Sequence, residues 1–133
     1  MKLSTLNYWA VFAAALSAFI VGGLWYSPVL FFSAWARANG FSADPPRAGA
    51  KVFALSFLFS LVMAFNLAMF LNDPKTTAVW GATAGFLAGF GWAVMSIAII
   101  SLFERRPASY VLINGGYVTV VLTLMGLILG AWR

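Results

Sequence analysis

Four long apolar stretches divide the sequence, and every charged residue falls between or outside them. Each stretch reaches about 20 residues or more, the length that an α-helix needs to cross a hydrocarbon layer of about 30 Å. Helices are required there because backbone polar groups find no water in lipid. The pattern predicts an all-α membrane protein, with four transmembrane helices in one bundle and a single integral membrane domain over residues 1–133. The predicted spans cover about 7–26, 52–71, 77–103 and 109–132.

A shorter segment with large apolar side chains follows the first stretch. Ser27 and Pro28 end the first helix, because a proline disfavours helical geometry in the residue before it. The same pair can open a new helix, with Ser27 as N-cap and Pro28 at the first position. Arg37 follows near the end of this segment, and Gly40 is the glycine that ends it. The segment predicts a short helix over about 28–39 that lies in the membrane interface.

The composition agrees with a membrane protein and excludes most of the residue types that carry out catalysis or bind metals. Apolar residues make up 63% of the chain and charged residues 8%, against roughly 45–50% and about 25% in soluble domains. The chain has no cysteine and no histidine, so thiolate nucleophiles, histidine bases and the usual zinc ligands are missing. Its three acids, Asp44, Asp73 and Glu104, lie outside the spans. We therefore expect no enzyme, no catalytic residue, no metal site and no cofactor.

The net charge of +5 indicates contact with lipid headgroups and helps to predict the orientation in the membrane. It does not indicate binding to nucleic acid. The basic residues flank the apolar stretches, where they meet lipid headgroups and set topology. With four spans, both termini and the second connection share one face, which carries three basic residues, whereas the opposite face carries five. Positive-inside reasoning then puts the opposite face in the cytoplasm and both termini outside. Membrane lipids are the expected partners, and no nucleic acid is expected.

Small residues recur at every fourth position along the predicted spans. Such stripes allow two helix backbones to approach closely, which favours association in a membrane. The spacing is most regular in the third span. Whether the stripes pair within one chain or between chains stays open, so a homo-oligomer is possible. The predicted helix-packing glycines are Gly22, Gly81, Gly85, Gly89, Gly126 and Gly130.

Uncharged polar residues remain inside the spans. Asn66 and Asn114 are each expected to bond across helices, an interaction commonly worth about 0.6–2 kcal/mol in membranes. Trp92 lies near mid-depth, whereas tryptophan prefers the membrane interfaces. We expect its ring to fill space beside Gly89 and Gly91.

One face of the bundle gathers the residues of chemical interest. The predicted threading places the end of the first helix, the third connection and the start of the fourth helix at the face opposite the termini. Aromatic, hydroxyl, amide, acid and guanidinium groups meet there, and the arginines beside a helix start can hold an anionic headgroup. The alternative is a topology signal combined with helix caps. The candidate ligand or lipid face comprises Trp25, Tyr26, Ser27, Glu104, Arg105, Arg106, Asn114 and Tyr117.

Three motifs carry a resemblance to a known family. The first is Gly23-Leu24-Trp25-Tyr26-Ser27-Pro28 with Phe32, Trp35 and Arg37, the second is Leu102-Phe103-Glu104 with Arg106-Pro107, and the third is Ile113-Asn114 with Gly116-Tyr117, Met125-Gly126 and Ile128-Leu129-Gly130. On these motifs the chain resembles the Domain of Unknown Function 1761 family of small bacterial membrane proteins. Many members have histidine where this chain has Val118. The resemblance implies a four-span protein of the bacterial cytoplasmic membrane and supplies no activity.

Three classes of function are compatible with these features. The favoured one is a membrane-embedded binding or accessory protein that associates with itself or contacts lipid. The alternative is a small oligomeric transporter or pore for a neutral or apolar solute, lined by glycines and amides. A membrane enzyme would have to rely on Glu104, tyrosine and serine, and the sequence pairs no base with a nucleophile.

Overall fold

The computed structural model describes residues 3–41 and 48–133, and its regular secondary structure there is helical. Four of its helices are long and apolar enough to cross a membrane, so the chain is an all-α integral membrane protein as predicted. The predicted ends of the spans lie within two residues of the observed ends. A short 3-10 helix, Leu3–Thr5, precedes five longer helices. These are α1 (Tyr8–Trp25), α2 (Phe32–Asn39), α3 (Ala50–Phe70), α4 (Ala78–Phe103) and α5 (Ala108–Ala131).

Hydrogen bonds fix which helix ends share a membrane face. The Asn7 amide, which caps α1, donates to the carbonyl oxygen of Trp132 at 3.3 Å. The Thr5 hydroxyl and the Asn72 amide also bond to each other. The described residues nearest to both ends of the chain therefore lie beside the second connection, on what we call the terminal face. The other face, which holds α2 and the connection between α4 and α5, is the loop face.

The short helix α2 starts later than the sequence predicted. The prediction of a helix over 28–39 with a Ser27 cap was wrong at its beginning, because α2 begins at Phe32. The Ser27 hydroxyl donates back to the Leu24 carbonyl oxygen at 2.7 Å and does not cap a following helix. The intervening residues form turns. Gly40 ends α2 as predicted, in the left-handed conformation with φ of 71°.

The core lies between α1, α3 and α5. Alanines supply much of it, and such small side chains let the helices lie close together. Phenylalanine rings also pack between α1 and α3. The Phe57 ring is in edge-to-face contact with the rings of Phe12 and Phe19, with distances of 5.7 and 6.0 Å between the ring centres. The buried core residues of these helices include Ala10, Ala14, Ala18, Ala64, Ala68, Val121, Met125 and Leu129.

Helices α4 and α5 meet along a line of glycines, which we call the glycine seam. A side-chain carbon at Gly81 would overlap the Gly126 carbonyl oxygen, and one at Gly126 would overlap the Gly81 carbonyl oxygen. Likewise, a carbon at Gly89 would lie 2.8 Å from the Thr119 Cα. The two backbones are therefore in direct contact. The remaining seam glycines are Gly85, which faces Leu122, and Gly130, which faces Thr77.

The middle of α4 departs from a regular α-helix, since Gly89–Val94 forms a π-helix. The expectation that Trp92 fills space beside glycines was wrong, because its side chain is 68% exposed. The backbone of α5 occupies the space beside Gly89, so no room is left there for an indole ring. Asn66 is exposed on α3 and has no cross-helix bond to any residue the structure describes.

Candidate functional site

The predicted candidate residues separate into two neighbouring groups on the loop face. Four of them pack against one another where α1 meets α5, and we call this group the aromatic cluster. The other group lines an open groove between the end of α2 and the α4–α5 connection, which we call the arginine groove. Ser27 belongs to neither group, because its hydroxyl is bonded to its own helix. The aromatic cluster comprises Trp25, Tyr26, Asn114 and Tyr117, and the arginine groove comprises Arg37, Ala38, Asn39, Gly40, Glu104, Arg105, Arg106 and Pro107.

Asn114 links α1 to α5 in the aromatic cluster. The Tyr26 hydroxyl donates to the Asn114 side-chain oxygen at 2.7 Å, and the Asn114 nitrogen donates to the Tyr110 carbonyl oxygen at 3.0 Å. Tyr26 lies just beyond α1, and burial together with the neighbouring tyrosines raises the pKa of its hydroxyl. The hydroxyl therefore stays protonated as a donor. Both ends of the Asn114 amide have partners, which fits a structural role.

The other aromatic residues of the cluster fit against glycines. The Trp25 indole donates to the Ile113 carbonyl oxygen at 2.9 Å, and a side-chain carbon at Gly116 would lie 2.9 Å from its ring. A carbon at Gly22 would lie 3.2 Å from the Tyr117 hydroxyl. These glycines therefore make room for aromatic rings rather than for a helix backbone. The side chains of the cluster are bonded or packed to one another and to the backbone of α5.

The arginine groove has a volume of about 620 Å³ and opens to the outside. Three guanidinium groups and one carboxylate line it, since Arg37 from α2 joins Glu104, Arg105 and Arg106. The Arg106 Nε lies 3.5 Å from a Glu104 oxygen, and the guanidinium lies 5.2 Å from the centre of the Tyr110 ring. Because the ion pair is exposed, it contributes little to stability, and the groups remain accessible to a ligand.

Two similar helix ends shape the walls of the groove. At the end of α2, the Gly40 N–H bonds to the Arg37 carbonyl oxygen while the next N–H reaches Ala36. At the end of α4, the Arg105 N–H bonds to Leu102 and the next N–H reaches the Ser101 carbonyl oxygen at 2.9 Å. Both ends follow the Schellman pattern, which needs one left-handed residue. Gly40 fills that place in α2, and Arg105 fills it in α4 with φ of 57°.

The family comparison covers both groups of the loop face. A family model described as "Protein of unknown function (DUF1761)" matches residues 9–130 of the chain. The chain belongs to this family. Its membership confirms the resemblance seen in the three sequence motifs. No curated protein and no solved structure matches this DUF1761 protein.

Sequence reasoning left five members of the arginine groove out of the candidate face of this DUF1761 protein, and two of the five, Arg37 and Asn39, are polar. From the sequence, Arg37 and Asn39 belonged to the short helix, whereas the structure places them in the lining of the same groove as Arg105 and Arg106. The sequence did contain a signal that Arg37 could join this group. Arg37 precedes the helix-ending Gly40 by three residues, and the predicted threading puts it on the same membrane face as the third connection. The sequence did not show how α2 turns back over the start of α5.

A smaller cavity of about 250 Å³ lies on the terminal face. Its polar groups bond to one another: Asn7 to Trp132, Thr5 to Asn72, and an Arg133 nitrogen to the Asp73 carbonyl oxygen at 2.9 Å. None of the predicted candidate residues lines it. Within residues 3–41 and 48–133, the structure brings together no group of three or more acids that could hold a metal ion.

Proposed function

We propose that this DUF1761 protein is a membrane-embedded accessory protein that binds the anionic headgroup of a lipid in the arginine groove. The observation that carries the proposal is the position of Arg37, which lines the same opening as Arg105 and Arg106. Arginine suits this role because its planar donors match phosphate oxygens in pairs. The proposal assigns binding to the groove and no chemical step.

The charge balance of the groove favours an anion. Three arginines and Glu104 give a net charge of +2. The carboxyl-terminal ends of α2 and α4 each add roughly half a negative charge, and the amino-terminal end of α5, capped by Pro107 in the groove, adds roughly half a positive charge. The balance is then about +1.5. An arginine near the surface contributes about 1 kcal/mol of attraction to anionic lipid. The positive charge is therefore large enough to favour anionic over neutral headgroups.

Apolar side chains beside the groove are placed to meet acyl chains. Leu102 and Phe103, the last residues of α4 before Glu104, are 77% and 87% exposed. A ligand with a charged head and an apolar tail matches this combination, whereas a free phosphate would use only the arginines.

The test measures lipid retained by the purified protein. Arg37→Ala, Arg105→Ala and Arg106→Ala together should release phosphatidylglycerol that is seen bound in native mass spectra. Each lost charge should weaken binding about fivefold, which corresponds to about 1 kcal/mol. The proposal fails if the triple variant retains as much phosphatidylglycerol as the parent protein.

Lys51→Ala is the matched control for this experiment. Lys51 is exposed at the start of α3, on the loop face, and it does not line the groove. Its removal should change lipid retention much less than any one arginine substitution. Equal losses would show that bulk charge on the loop face, rather than the groove, attracts the lipid. Inorganic phosphate added at millimolar concentration should not displace phosphatidylglycerol if the acyl chains contribute.

We also propose that the loop face lies in the cytoplasm and that the membrane is the bacterial cytoplasmic membrane. The basic residues of the groove support this orientation through the positive-inside rule. Since the chain has no cysteine, single cysteines report the side directly. An impermeant maleimide added to intact cells should label Lys75→Cys on the terminal face and leave Ser33→Cys in α2 unlabelled. The reverse pattern would overturn the orientation.

We propose in addition that packing of small residues holds the arginine groove in shape. We assign the glycine seam the task of holding α4 against α5 within one chain, because both backbones are in contact there. This contact would keep the end of α4, and with it Arg105 and Arg106, in place beside α2.

A further inference from the structure

Two residues at the end of α4 stand where helix stability alone would not place them. Glu104 is the C-cap of α4, and a carboxylate is unfavourable there because the carboxyl-terminal end of a helix carries a partial negative charge. Arg105 follows in the left-handed conformation with φ of 57°, which costs free energy in residues other than glycine. Gly40 fills the equivalent place in α2. Such local costs collect at binding sites, where the surrounding structure maintains them.

The ion pair of Glu104 does not account for its position. The carboxylate oxygen lies 3.5 Å from the Arg106 Nε, whereas charged hydrogen bonds of this type are usually about 2.7–2.9 Å long. The Glu104 side chain is 53% exposed, and exposed ion pairs contribute little to stability. An ionised carboxylate also has several acceptor positions on its two oxygens. A single long bond therefore leaves most of its acceptor capacity open to a ligand in the groove.

The groove combines donors and an acceptor in one opening. Glu104 is the only acid among the described residues that line it, and it lies there with three arginines. A guanidinium group only donates hydrogen bonds, and an ionised carboxylate only accepts them. A ligand that satisfies both kinds of group must carry anionic oxygens and a hydrogen-bond donor in the same headgroup. A phosphodiester without such a donor would leave the carboxylate unbonded beside a second negative charge.

We propose that the arginine groove selects the phosphodiester headgroup of a polyol, with Glu104 accepting a hydrogen bond from one of its hydroxyl groups. This inference rests on the proposed lipid binding and adds the class of headgroup. Charge decides between a hydroxyl and an ammonium group as the donor. The groove keeps a balance of about +1.5 with Glu104 included, so it favours a headgroup with a net negative charge. A phosphoethanolamine headgroup has no net charge.

The spacing of the groups suits one small headgroup. The Glu104 oxygen and the Arg106 Nε are 3.5 Å apart, and Arg105 lies between the two residues in the chain. A phosphate held by these arginines would therefore lie within a few ångströms of the carboxylate. The hydroxyl groups of a glycerol headgroup follow the phosphate along a short carbon chain, which can cover that distance.

Competition between two lipids of equal charge tests the inference. Phosphatidylglycerol and phosphatidylethanol with the same acyl chains carry the same negative charge, but phosphatidylethanol has no hydroxyl group beyond the phosphate. With both lipids at equal concentration, native mass spectra should show about tenfold more phosphatidylglycerol on the parent protein, the effect of one hydrogen bond to a charged group. Equal retention of the two lipids would overturn the inference. A higher retention of phosphatidylethanolamine than of phosphatidylglycerol would overturn it as well.

Substitutions at Glu104 identify the acceptor. Glu104→Gln keeps a neutral acceptor oxygen, whose hydrogen bonds are roughly half as strong, so the preference should fall to about threefold. Glu104→Ala should abolish the preference without weakening the binding of phosphatidylethanol, because a repulsive charge is removed. Asp73→Asn is the matched control, since it removes one carboxylate from the terminal face and keeps the oxygen that accepts from the Lys75 N–H. A preference that survives Glu104→Ala, or that Asp73→Asn lowers equally, contradicts the role of Glu104.

Arg105→Gly separates this inference from the proposed function. Glycine adopts the left-handed conformation freely, so the end of α4 should be kept while the groove loses one guanidinium group. Both lipids should bind about fivefold less tightly, with an unchanged preference for phosphatidylglycerol. If Arg105→Gly retains both lipids as the parent protein does, the groove is not the lipid site and both proposals fail. Binding that depends on Arg105 but shows no preference between the lipids overturns the headgroup inference alone.

Discussion

Alanine at Gly126 should separate α4 from α5. The new side-chain carbon would overlap the Gly81 carbonyl oxygen and lie 2.7 Å from the Gly81 carbonyl carbon. Ordinary contact between carbon atoms is about 3.5–4.0 Å. The backbones must therefore move apart by about 0.8 Å or more, and neither can give way locally because both contact surfaces are helix backbone.

The cost follows from the length of the glycine seam. A gap of about 0.5–1 Å forfeits a quarter to a half of the dispersion attraction at each contact, and the seam has contacts at Gly81, Gly85 and Gly89 as well. Overpacking of this kind typically costs about 1–3 kcal/mol. Alanine also favours the helix by up to about 1 kcal/mol over glycine. With the full helix gain subtracted, the net loss of unfolding free energy should be up to about 2 kcal/mol, whereas the difference from a glycine-to-alanine change without a clash should be the full amount of about 1–3 kcal/mol, on the order given by these two effects.

Gly23→Ala isolates the helix preference from the packing effect. Gly23 is exposed in α1, and a side-chain carbon there would meet nothing within 4 Å. This variant should be as stable as the parent protein or slightly more stable. Reversible unfolding in mixed detergent micelles, followed by tryptophan fluorescence, compares the two variants. If Gly126→Ala proves as stable as Gly23→Ala, the proposed backbone contact between α4 and α5 is wrong.

Two further predictions concern the loop face. Tyr26→Phe leaves the Asn114 side-chain oxygen without its donor and should lower the free energy of unfolding by about 1–2 kcal/mol. Tyr117→Phe should cost far less, because the hydrogen bond of its hydroxyl is 3.5 Å long. Equal losses in the two variants would contradict the role given to the 2.7 Å bond between Tyr26 and Asn114. Gly40→Ala should loosen α2 by roughly 1–2 kcal/mol because Gly40 is left-handed, seen as faster amide exchange in α2. Gly49→Ala, at φ of −79°, should leave exchange unchanged, and similar effects in both variants would refute the backbone argument.

The loop face shows how much of the candidate site could be predicted from the sequence motifs. The sequence placed eight candidate residues on the loop face, and seven of them do lie in the aromatic cluster or the arginine groove. It could not separate the two groups, because that depends on where α2 packs. The turns before α2 bring Arg37 into the lining of the same groove as Arg105, whereas a helix beginning at Pro28, as predicted, would have had a different length and direction.

The hydrophobic pattern alone determined the number, ends and class of the helices. A span must satisfy its own backbone in lipid and must be long enough to cross it, and both conditions can be read from one stretch of sequence. The tertiary structure decided how the spans use their side chains. Gly81 and Gly126 meet as bare backbone, whereas Gly116 makes room for Trp25, although glycine looks the same in the sequence. Likewise, Trp92 faces outward because the α5 backbone already lies against Gly89. Such contacts join residues that are far apart in the chain, so only the packed bundle defines them.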